Sequence, residues 1–258
     1  MGANKFYQYI GIGGFLSPLN RKLDKKVFYE HADVNKKGKD AITKYIQRME
    51  LAYLLTPSTV NIQPFKNDEY HFEGIMFITV FLRDEITDKI VSIIEDVIHS
   101  ALPNPAVLIF DWEDEIQIST SMKRLSKSDK TSIVLGDIHR SDWLTLQENN
   151  NHIQQFFKEI HLTNVRFTNF FDFYQDYDIA VEALQNLKIT GQFQIAESPE
   201  GYKKQQDMIR EIQQLEQEIA KIRAKMKKET QFNKKVEYNL KIQKLTQETA
   251  TLKEQLVE

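Results

Sequence analysis

Two acidic residues on either side of a predicted β-turn are the first candidates for chemistry in this sequence. Asp111 ends a predicted apolar strand, and Glu115 begins the next strand, with Gln117 two residues further on. Restriction-type nucleases place an acid at a strand end and an acid-x-lysine triplet on the next strand, because the carboxylates bind magnesium and the lysine stabilises the charged transition state. Gln117 stands where that lysine is needed. Asp111 and Glu115 are therefore weak candidates for a divergent magnesium-dependent nuclease, because an acidic cluster is more often just a solvated turn.

Histidine, glycine and cysteine give no stronger chemical signal. His139 lies near Asp137 and Asp142, and His31 also follows an acid, but neither has a second histidine at metal-ligand spacing. The glycine cluster at residues 11–14 precedes a polar segment rather than a helix, so it does not predict a phosphate-binding loop. The absence of cysteine excludes disulfides, thiolate catalysis and cysteine-based zinc sites. We therefore predict no metal and no cofactor.

Basic residues near the C-terminus are the strongest candidates for binding. The residues that we expect to contact a partner or nucleic acid are Lys221, Arg223, Lys225, Lys227, Lys228, Gln231, Phe232, Asn233, Lys234 and Lys235. Exposed lysines bind a phosphate backbone without sequence preference and in a salt-sensitive way. Lysine is also common on helices simply because it keeps them solvated. The sequence leaves both interpretations open.

The charge of the chain is divided between its two parts. The formal net charge is -3, but from residue 203 onward there are 13 Lys and Arg against 9 Asp and Glu, a net charge of +4. The first 202 residues carry 21 against 28, a net charge of -7. Such asymmetry indicates a tail that meets an acidic partner or nucleic acid, unless its lysines serve solvation alone.

The longest apolar segments predict a central β-sheet with a helix packed on it. Ile75–Leu82 is apolar at every position but one, which favours a strand covered on both faces. After Asp84, the expected helix cap, apolar residues recur at three- and four-residue spacing until Pro103 stops the helix. Residues 106–110 predict a second buried strand and residues 115–119 a half-exposed partner. The predicted fold class is α+β, with a mixed central sheet and helices packed on it.

The segments around this core predict further helices and strands. We expect a helix over residues 39–54 and a short strand at 60–62. A charged loop is predicted over residues 123–130 and another strand over 132–135. Two apolar helical stripes then indicate a second helical layer, and the Phe-rich residues 165–171 are predicted to fill the core, because a base-stacking platform would carry more basic residues.

Composition divides the chain into four predicted regions. Residues 1–25 are predicted to form a flexible or edge-strand arm, residues 26–190 an α/β head domain, residues 191–202 a linker, and residues 203–258 a coiled-coil hairpin. No segment reaches the roughly 18 apolar residues that a membrane-spanning helix needs. The N-terminus lacks the apolar region of a secretory signal. We therefore expect a cytoplasmic protein with no membrane partner.

Two apolar stripes in the tail predict a helical hairpin. One stripe consists of Met208, Ile212, Leu215, Ile219, Ile222 and Met226, and the other of Tyr238, Ile242, Leu245, Thr249 and Leu252. Extending the first by sevens misses the second by two residues, which turns a helix by about 200°. On one straight helix the stripes would face opposite sides. We predict a break between residues 228 and 235 and an antiparallel coiled-coil hairpin; the alternative is one long bent helix that dimerises.

Several short segments, taken in order, resemble a known bacterial family. They are Lys-Lys-Val-Phe-Tyr-Glu-His at 25–31, Leu-Leu-Thr-Pro-Ser-Thr-Val-Asn-Ile at 54–62, Leu-Pro-Asn-Pro at 102–105, Asp-Trp-Leu at 142–144, and Glu-Thr-Gln-Phe-Asn-Lys-Lys-Val-Glu-Tyr-Asn at 229–239. The chain resembles domain of unknown function 4391 over about residues 20–256. The resemblance implies an α/β head, a coiled-coil end, and genes that lie beside helicases and methyltransferases of restriction-like anti-phage loci. It implies no catalytic residues.

These observations lead to a hypothesis about function. We expect a non-enzymatic adaptor of a restriction-like anti-phage defence system, which docks a helicase, methyltransferase or nuclease partner, or a second copy, through its coiled coil. One alternative is the divergent nuclease that uses Asp111 and Glu115. The other is a sequence-independent nucleic-acid binder that uses the basic hairpin tip.

Overall fold

The chain folds into two compact units, Met1–Gln185 and Asn186–Glu258. The computed structural model describes residues 2–30, 34–83, 85–128, 132–146, 150–196 and 198–257. The first unit contains a mixed β-sheet with helices, and the second is helical. The predicted α+β class is confirmed. Within the described ranges, no helix is both long enough and apolar enough to span a bilayer.

The main sheet of the first unit is mixed. Its strands and those of a small second sheet are β1 (Arg21–Leu23), β2 (Ile46–Leu55), β3 (Phe65–Lys66), β4 (His71–Phe72), β5 (Ile75–Leu82), β6 (Ala106–Trp112), β7 (Glu115–Leu125), β8 (Ile133–Arg140) and β9 (Leu144–Thr145). The strand order is β1-β2-β5-β6-β7-β8, with β9 also paired to β7, whereas β3 and β4 pair with each other. β5 and β6 are parallel, and the other pairs are antiparallel.

Helices lie before, between and after these strands. They are α1 (Gly2–Tyr9), α2 (Ile12–Phe15), α3 (Lys25–Glu30), α4 (Lys36–Tyr45), α5 (Pro57–Val60), α6 (Asp88–Ala101), α7 (Asn151–Glu159), α8 (Phe170–Gln185), α9 (Leu187–Thr190), α10 (Pro199–Lys228) and α11 (Phe232–Val257). α10 begins within the predicted linker of residues 191–202, because the Ser198 side chain caps it by accepting a hydrogen bond from the Gly201 N–H at 3.1 Å.

The centre of the first unit is the strand-helix-strand-strand segment predicted from its apolar runs. β6 is buried at every position before Trp112, and α6 crosses over to connect β5 with the parallel β6. Thr87 caps α6 by accepting a hydrogen bond from the Ile90 N–H at 3.4 Å. The cap predicted at Asp84 lies outside the described residues. α6 ends at Ala101, just before the two prolines, as predicted.

The two faces of the sheet have different packing. On one face, Ile42 of α4 and Ile94 of α6 are fully buried in a largely aliphatic cluster with Leu108 of β6. On the other face the core is aromatic: the Phe77 ring lies 5.6 Å from the Tyr177 ring of α8. Phe170 is also fully buried, so this part of the Phe-rich stretch fills the core as predicted.

The N-terminal residues differ from the predicted arm. α1 packs onto β6 and β7, and Phe6 and Ile10 are fully buried. The Ala3 N–H donates a hydrogen bond of 2.9 Å to Asp111, and the Tyr7 hydroxyl lies 2.8 Å from the Thr79 hydroxyl. Within the predicted arm, β1 does lie at an edge of the sheet, whereas the buried side chains between residues 2 and 12 recur at helical spacing and join the core.

Residues 39–62 contain the largest error of the sequence prediction. The helix predicted over 39–54 is wrong beyond Tyr45, where α4 ends and β2 begins. β2 contains two register irregularities, one after Ile46 and one after Leu51. Each interrupts the two-residue alternation of a strand, so the apolar residues imitate helical spacing. The strand predicted at 60–62 is also wrong, because α5 ends at Val60.

The polar strands at the other side of the sheet also extend beyond their prediction. Residues 123–130 do not begin as a loop: β7 continues to Leu125, and Lys123 is only 4% exposed. β8 continues to Arg140, beyond the predicted strand at 132–135. Serine, threonine and charged residues weaken the apolar signal of both strands.

The second unit contains two antiparallel helices. Residues 229–231 separate α10 from α11, which confirms the predicted break. Ile212 packs with Leu256, whereas Ile222 packs with Leu245. Later residues of α10 therefore contact earlier residues of α11, as in an antiparallel pair. The two predicted stripes therefore face each other. We refer to this helix pair as the hairpin, and to residues 219–244 as its tip.

Candidate functional site

The structure does not bring the two acids of the nuclease hypothesis together. Asp111 is paired with Ile116, and Trp112 is paired with Glu115 across the strands. Paired side chains share a face of a sheet and successive ones alternate, so Asp111 and Glu115 point to opposite faces. Among the described residues, no group of three or more histidine and acidic side chains is arranged to hold a metal ion.

Each of these acids has a local structural partner. Asp111 accepts the hydrogen bond from Ala3, and burial raises the pKa of its carboxyl while that hydrogen bond opposes the rise. Glu115 accepts a hydrogen bond of 3.2 Å from the Thr145 hydroxyl. The two carboxylates therefore tie α1 and β9 to the sheet.

His139 is placed between carboxylates that the sequence prediction did not consider. Its Nδ1 lies 3.3 Å from Asp178 and its Nε2 lies 3.5 Å from Glu182, both on α8. Burial alone lowers the pKa of His139, but the charges of Asp178, Glu182 and Asp137 raise it above the usual value. The other candidate histidine, His31, lies outside the described residues. The spacing of four residues between Asp178 and Glu182, within an apolar helix face, was the available signal.

A second buried polar group lies between α6 and β7. The Lys123 ammonium donates hydrogen bonds to the carbonyl oxygens of His99 at 2.7 Å and Asn104 at 3.1 Å, and also to that of Leu102. It thereby satisfies carbonyl groups at the C-terminal end of α6. His99 Nε2 lies 3.1 Å from the Ser119 hydroxyl, and both residues are at most 1% exposed. This group therefore links the C-terminal end of α6 to β7 inside the core.

Glu95 and Arg140 extend this buried group. Glu95 Oε1 lies 3.2 Å from an Arg140 guanidinium nitrogen. Burial raises the pKa of Glu95 to about 7 and lowers the pKa of Lys123 to about 7, whereas the pKa of His99 is well below its usual value for the same reason. No pattern in the sequence pointed to these residues, because they come from separate elements.

The hairpin tip is the place where the structure gathers the predicted binding residues. All ten of them are exposed and lie on the last turns of α10, in the connection, or on the first turn of α11. Residues 219–244 contain nine Lys and Arg against two Glu, a net charge of +7. The remainder of the second unit carries five basic against nine acidic residues, a net charge of -4.

The connection itself is fixed by a local cap. The Glu229 carboxylate accepts hydrogen bonds from the N–H groups of Thr230 at 2.9 Å and Gln231 at 3.0 Å. At the base of the tip, Lys241 forms an ion pair of 2.6 Å with Glu218 of α10. The basic tip is therefore carried by a defined turn between two packed helices.

The chain matches a known protein family over residues of both units. A family model described as Domain of unknown function (DUF4391) matches residues 17–248. The chain belongs to this family. The DUF4391 match includes the sheet, α10 and the whole hairpin tip. No curated protein and no solved structure matches the chain.

Proposed function

We propose that this DUF4391 protein is an accessory interaction protein, whose hairpin tip docks onto the acidic surface of a larger protein. The observation that carries the proposal is the net charge of +7 on residues 219–244, in a unit whose other residues have a net charge of -4. If lysines served only to solvate the helices, they would be spread along both. Their concentration at one end favours a binding role.

Electrostatic attraction gives such a tip two useful properties. A cluster of like charges accelerates encounter with a surface of opposite charge, and it repels basic surfaces. The ordered turn at residues 229–231 also reduces the conformational entropy lost on binding. Both properties suit a docking surface.

The family resemblance suggests where the partner is encoded. It implies restriction-like anti-phage loci that contain helicases and methyltransferases. We therefore propose that the tip docks a helicase, methyltransferase or nuclease of the same locus. The opposite orientation of Asp111 and Glu115 gives no support to the nuclease alternative.

A second candidate function uses the same tip. Its lysines suit a nucleic-acid backbone as well as an acidic protein, and sequence-independent binding follows from contacts to phosphate alone. This candidate predicts binding to any duplex of sufficient length. The partner proposal instead predicts a preference for one protein.

Charge reversal at the tip tests the proposal. We expect K225E/K227E/K228E to weaken binding to the partner by about tenfold or more, because three attractive contacts become repulsive. The matched control is K203E/K204E/R210E, which makes the same change in net charge at exposed positions of α10 outside the tip. The measurement is the dissociation constant for each purified product of the adjacent genes, and for duplex DNA.

The outcomes separate the candidates. Loss of protein binding in the tip variant alone supports the adaptor. Equal loss in both variants would show that only net charge matters, and binding to duplex DNA in place of every protein would favour the second candidate. Binding to neither would contradict both.

A further inference from the structure

The tip carries an exposed apolar stripe in addition to its charge. Phe232 is 77% exposed, Val236 41% and Leu240 62%. They occupy every fourth position of α11, so they form one row about 12 Å long. Single exposed apolar residues are ordinary, but three of them at four-residue spacing on one helix form a continuous apolar surface.

The stripe faces away from the contact between the helices. The buried row of α11 includes Ile242 and Leu245, which pack against α10. At about 100° per residue, the middle of the stripe lies roughly 150° around the helix from that row. The stripe therefore makes no contribution to holding the hairpin together.

The residues around the stripe have the arrangement of a protein interface. Asn233, Asn239 and Gln243 are its nearest exposed neighbours on the helix surface; Lys235 lies further out on one side, and Glu237 and Lys244 lie further out on the other. Interfaces between proteins have an apolar centre and a polar rim. Here the rim consists of amides, with two lysines and one glutamate beyond it.

We infer that Phe232, Val236 and Leu240 form the docking surface for an apolar groove on a protein partner, with carboxylates along the edges of the groove. This inference rests on the proposed function and specifies the partner's surface. Rows of apolar residues at positions i, i+4 and i+8 are the anchors by which helices bind grooves. The +7 charge of the tip selects a groove with acidic edges.

Other occupants fit these residues less well. Nucleic-acid strands stack bases on aromatic rings, and Val236 and Leu240 provide none. Two copies of the tip would bring together two surfaces of charge +7. An anionic membrane would attract the lysines, but membrane-surface helices have an apolar face longer than three residues. A protein groove uses both the stripe and the charge.

The test compares two triple alanine variants of the full chain. F232A/V236A/L240A removes the stripe, and Q247A/T251A/Q255A removes three exposed polar residues at the same spacing on the same helix. Alanine is the best helix former, so both variants keep α11 helical, as circular dichroism verifies. Isothermal titration calorimetry with each purified product of the adjacent genes gives the dissociation constants.

We expect the stripe variant to bind the partner more weakly, by about thirtyfold or more. The reason is that the apolar side chains of Phe232, Val236 and Leu240 are no longer present to be buried on binding. The control should bind within about twofold of wild type. The ratio of the dissociation constant of the stripe variant to that of the wild type should stay constant from about 50 mM to about 300 mM NaCl, since apolar burial is not screened by salt. The corresponding ratio of dissociation constants for K225E/K227E/K228E should decrease over the same range, because salt screens the charges that this variant changes.

Each other outcome has a definite meaning. Normal binding by the stripe variant, with loss in the charge variant, would overturn this inference and leave the proposed function standing. Stripe-dependent binding to duplex DNA, to phosphatidylglycerol vesicles or to a second copy in sedimentation experiments would overturn the inference in favour of that occupant. No binding by the wild-type chain to any neighbouring product would overturn both.

Discussion

At the scale of single residues, the first unit buries several ionisable side chains. Glu95 is 4% exposed, and its pairing with Arg140 offsets only part of the cost of burial. Lys123 and His99 lie in the same region, and burial lowers the pKa of both side chains. The stability of the fold should therefore depend on pH.

The pKa of Glu95 predicts the direction in which its contribution to stability changes with pH. Burial raises the pKa of Glu95 to about 7, so the native protein holds this proton more tightly than the unfolded chain does. Its stabilising contribution is present below the unfolded pKa and is lost as the pH rises through 7. Relative to E95Q, the wild-type free energy of unfolding should fall by up to about 3 kcal/mol between about pH 5 and pH 8.

Urea unfolding across this pH range measures the effect. D96N, which removes an exposed carboxyl from the same helix, is the matched control. Parallel pH curves for wild type and E95Q would contradict the prediction.

Residue chemistry was predictable only where neighbours in sequence are neighbours in space. The ten tip residues lie close together in sequence around one turn, and their exposure was anticipated. Asp111 and Glu115 are also close in sequence, but the alternation of the strands separates their side chains. His139 meets Asp178 and Glu182 only through the packing of α8 on β8, which no local pattern encodes.

At the scale of elements, α1 is part of the core rather than an appendage. Phe6 is fully buried, and its ring lies 5.9 Å from the ring of Phe157 on α7. The side chains of Tyr7 and Phe6 meet edge to face at 5.5 Å. The helix thus closes the aromatic face of the sheet.

Truncation of Phe6 tests the role of α1. We expect F6A to lower the free energy of unfolding by about 3–5 kcal/mol, because it leaves a cavity in a packed core. Q8A, at an exposed position of the same helix, should change it by less than about 0.5 kcal/mol. Thermal or urea unfolding gives both values, and equal small effects would restore the mobile arm of the sequence prediction.

Elements whose apolar residues recur at a regular spacing were predictable from the sequence, and elements in which that spacing is interrupted were not. β5, α6 and β6 have continuous apolar patterns and were correctly predicted as strand, helix and strand, although α6 begins at Asp88 and not directly after Asp84. β2 was taken for a helix because its irregularities after Ile46 and Leu51 disturb the alternation. The break between α10 and α11 could be predicted because two buried rows must face each other, although the turn contains neither glycine nor proline.

At the scale of the whole molecule, charge is divided between the two units. Residues 1–185 carry 20 basic and 26 acidic residues, whereas residues 186–258 carry 14 and 11. The positive excess of the second unit lies entirely at the tip. Attraction over distance should therefore depend on the tip alone.

This division predicts how partner binding responds to salt. The association rate constant of the wild type should fall by about tenfold or more between about 50 mM and about 300 mM NaCl, because screening shortens the range of the attraction. In K225E/K227E/K228E the fall should be much smaller, and in K203E/K204E/R210E it should match wild type. Stopped-flow association with the purified partner measures the slopes, and equal slopes in all three proteins would contradict a local origin.

The tip also determines how the molecule can be attached to a biosensor. Eight lysines lie between residues 219 and 244, so coupling through primary amines would anchor many molecules by the surface that is proposed to bind. The chain contains no cysteine. A single cysteine introduced in the first unit would therefore give one thiol for biotinylation, and would leave the lysines of the tip unmodified.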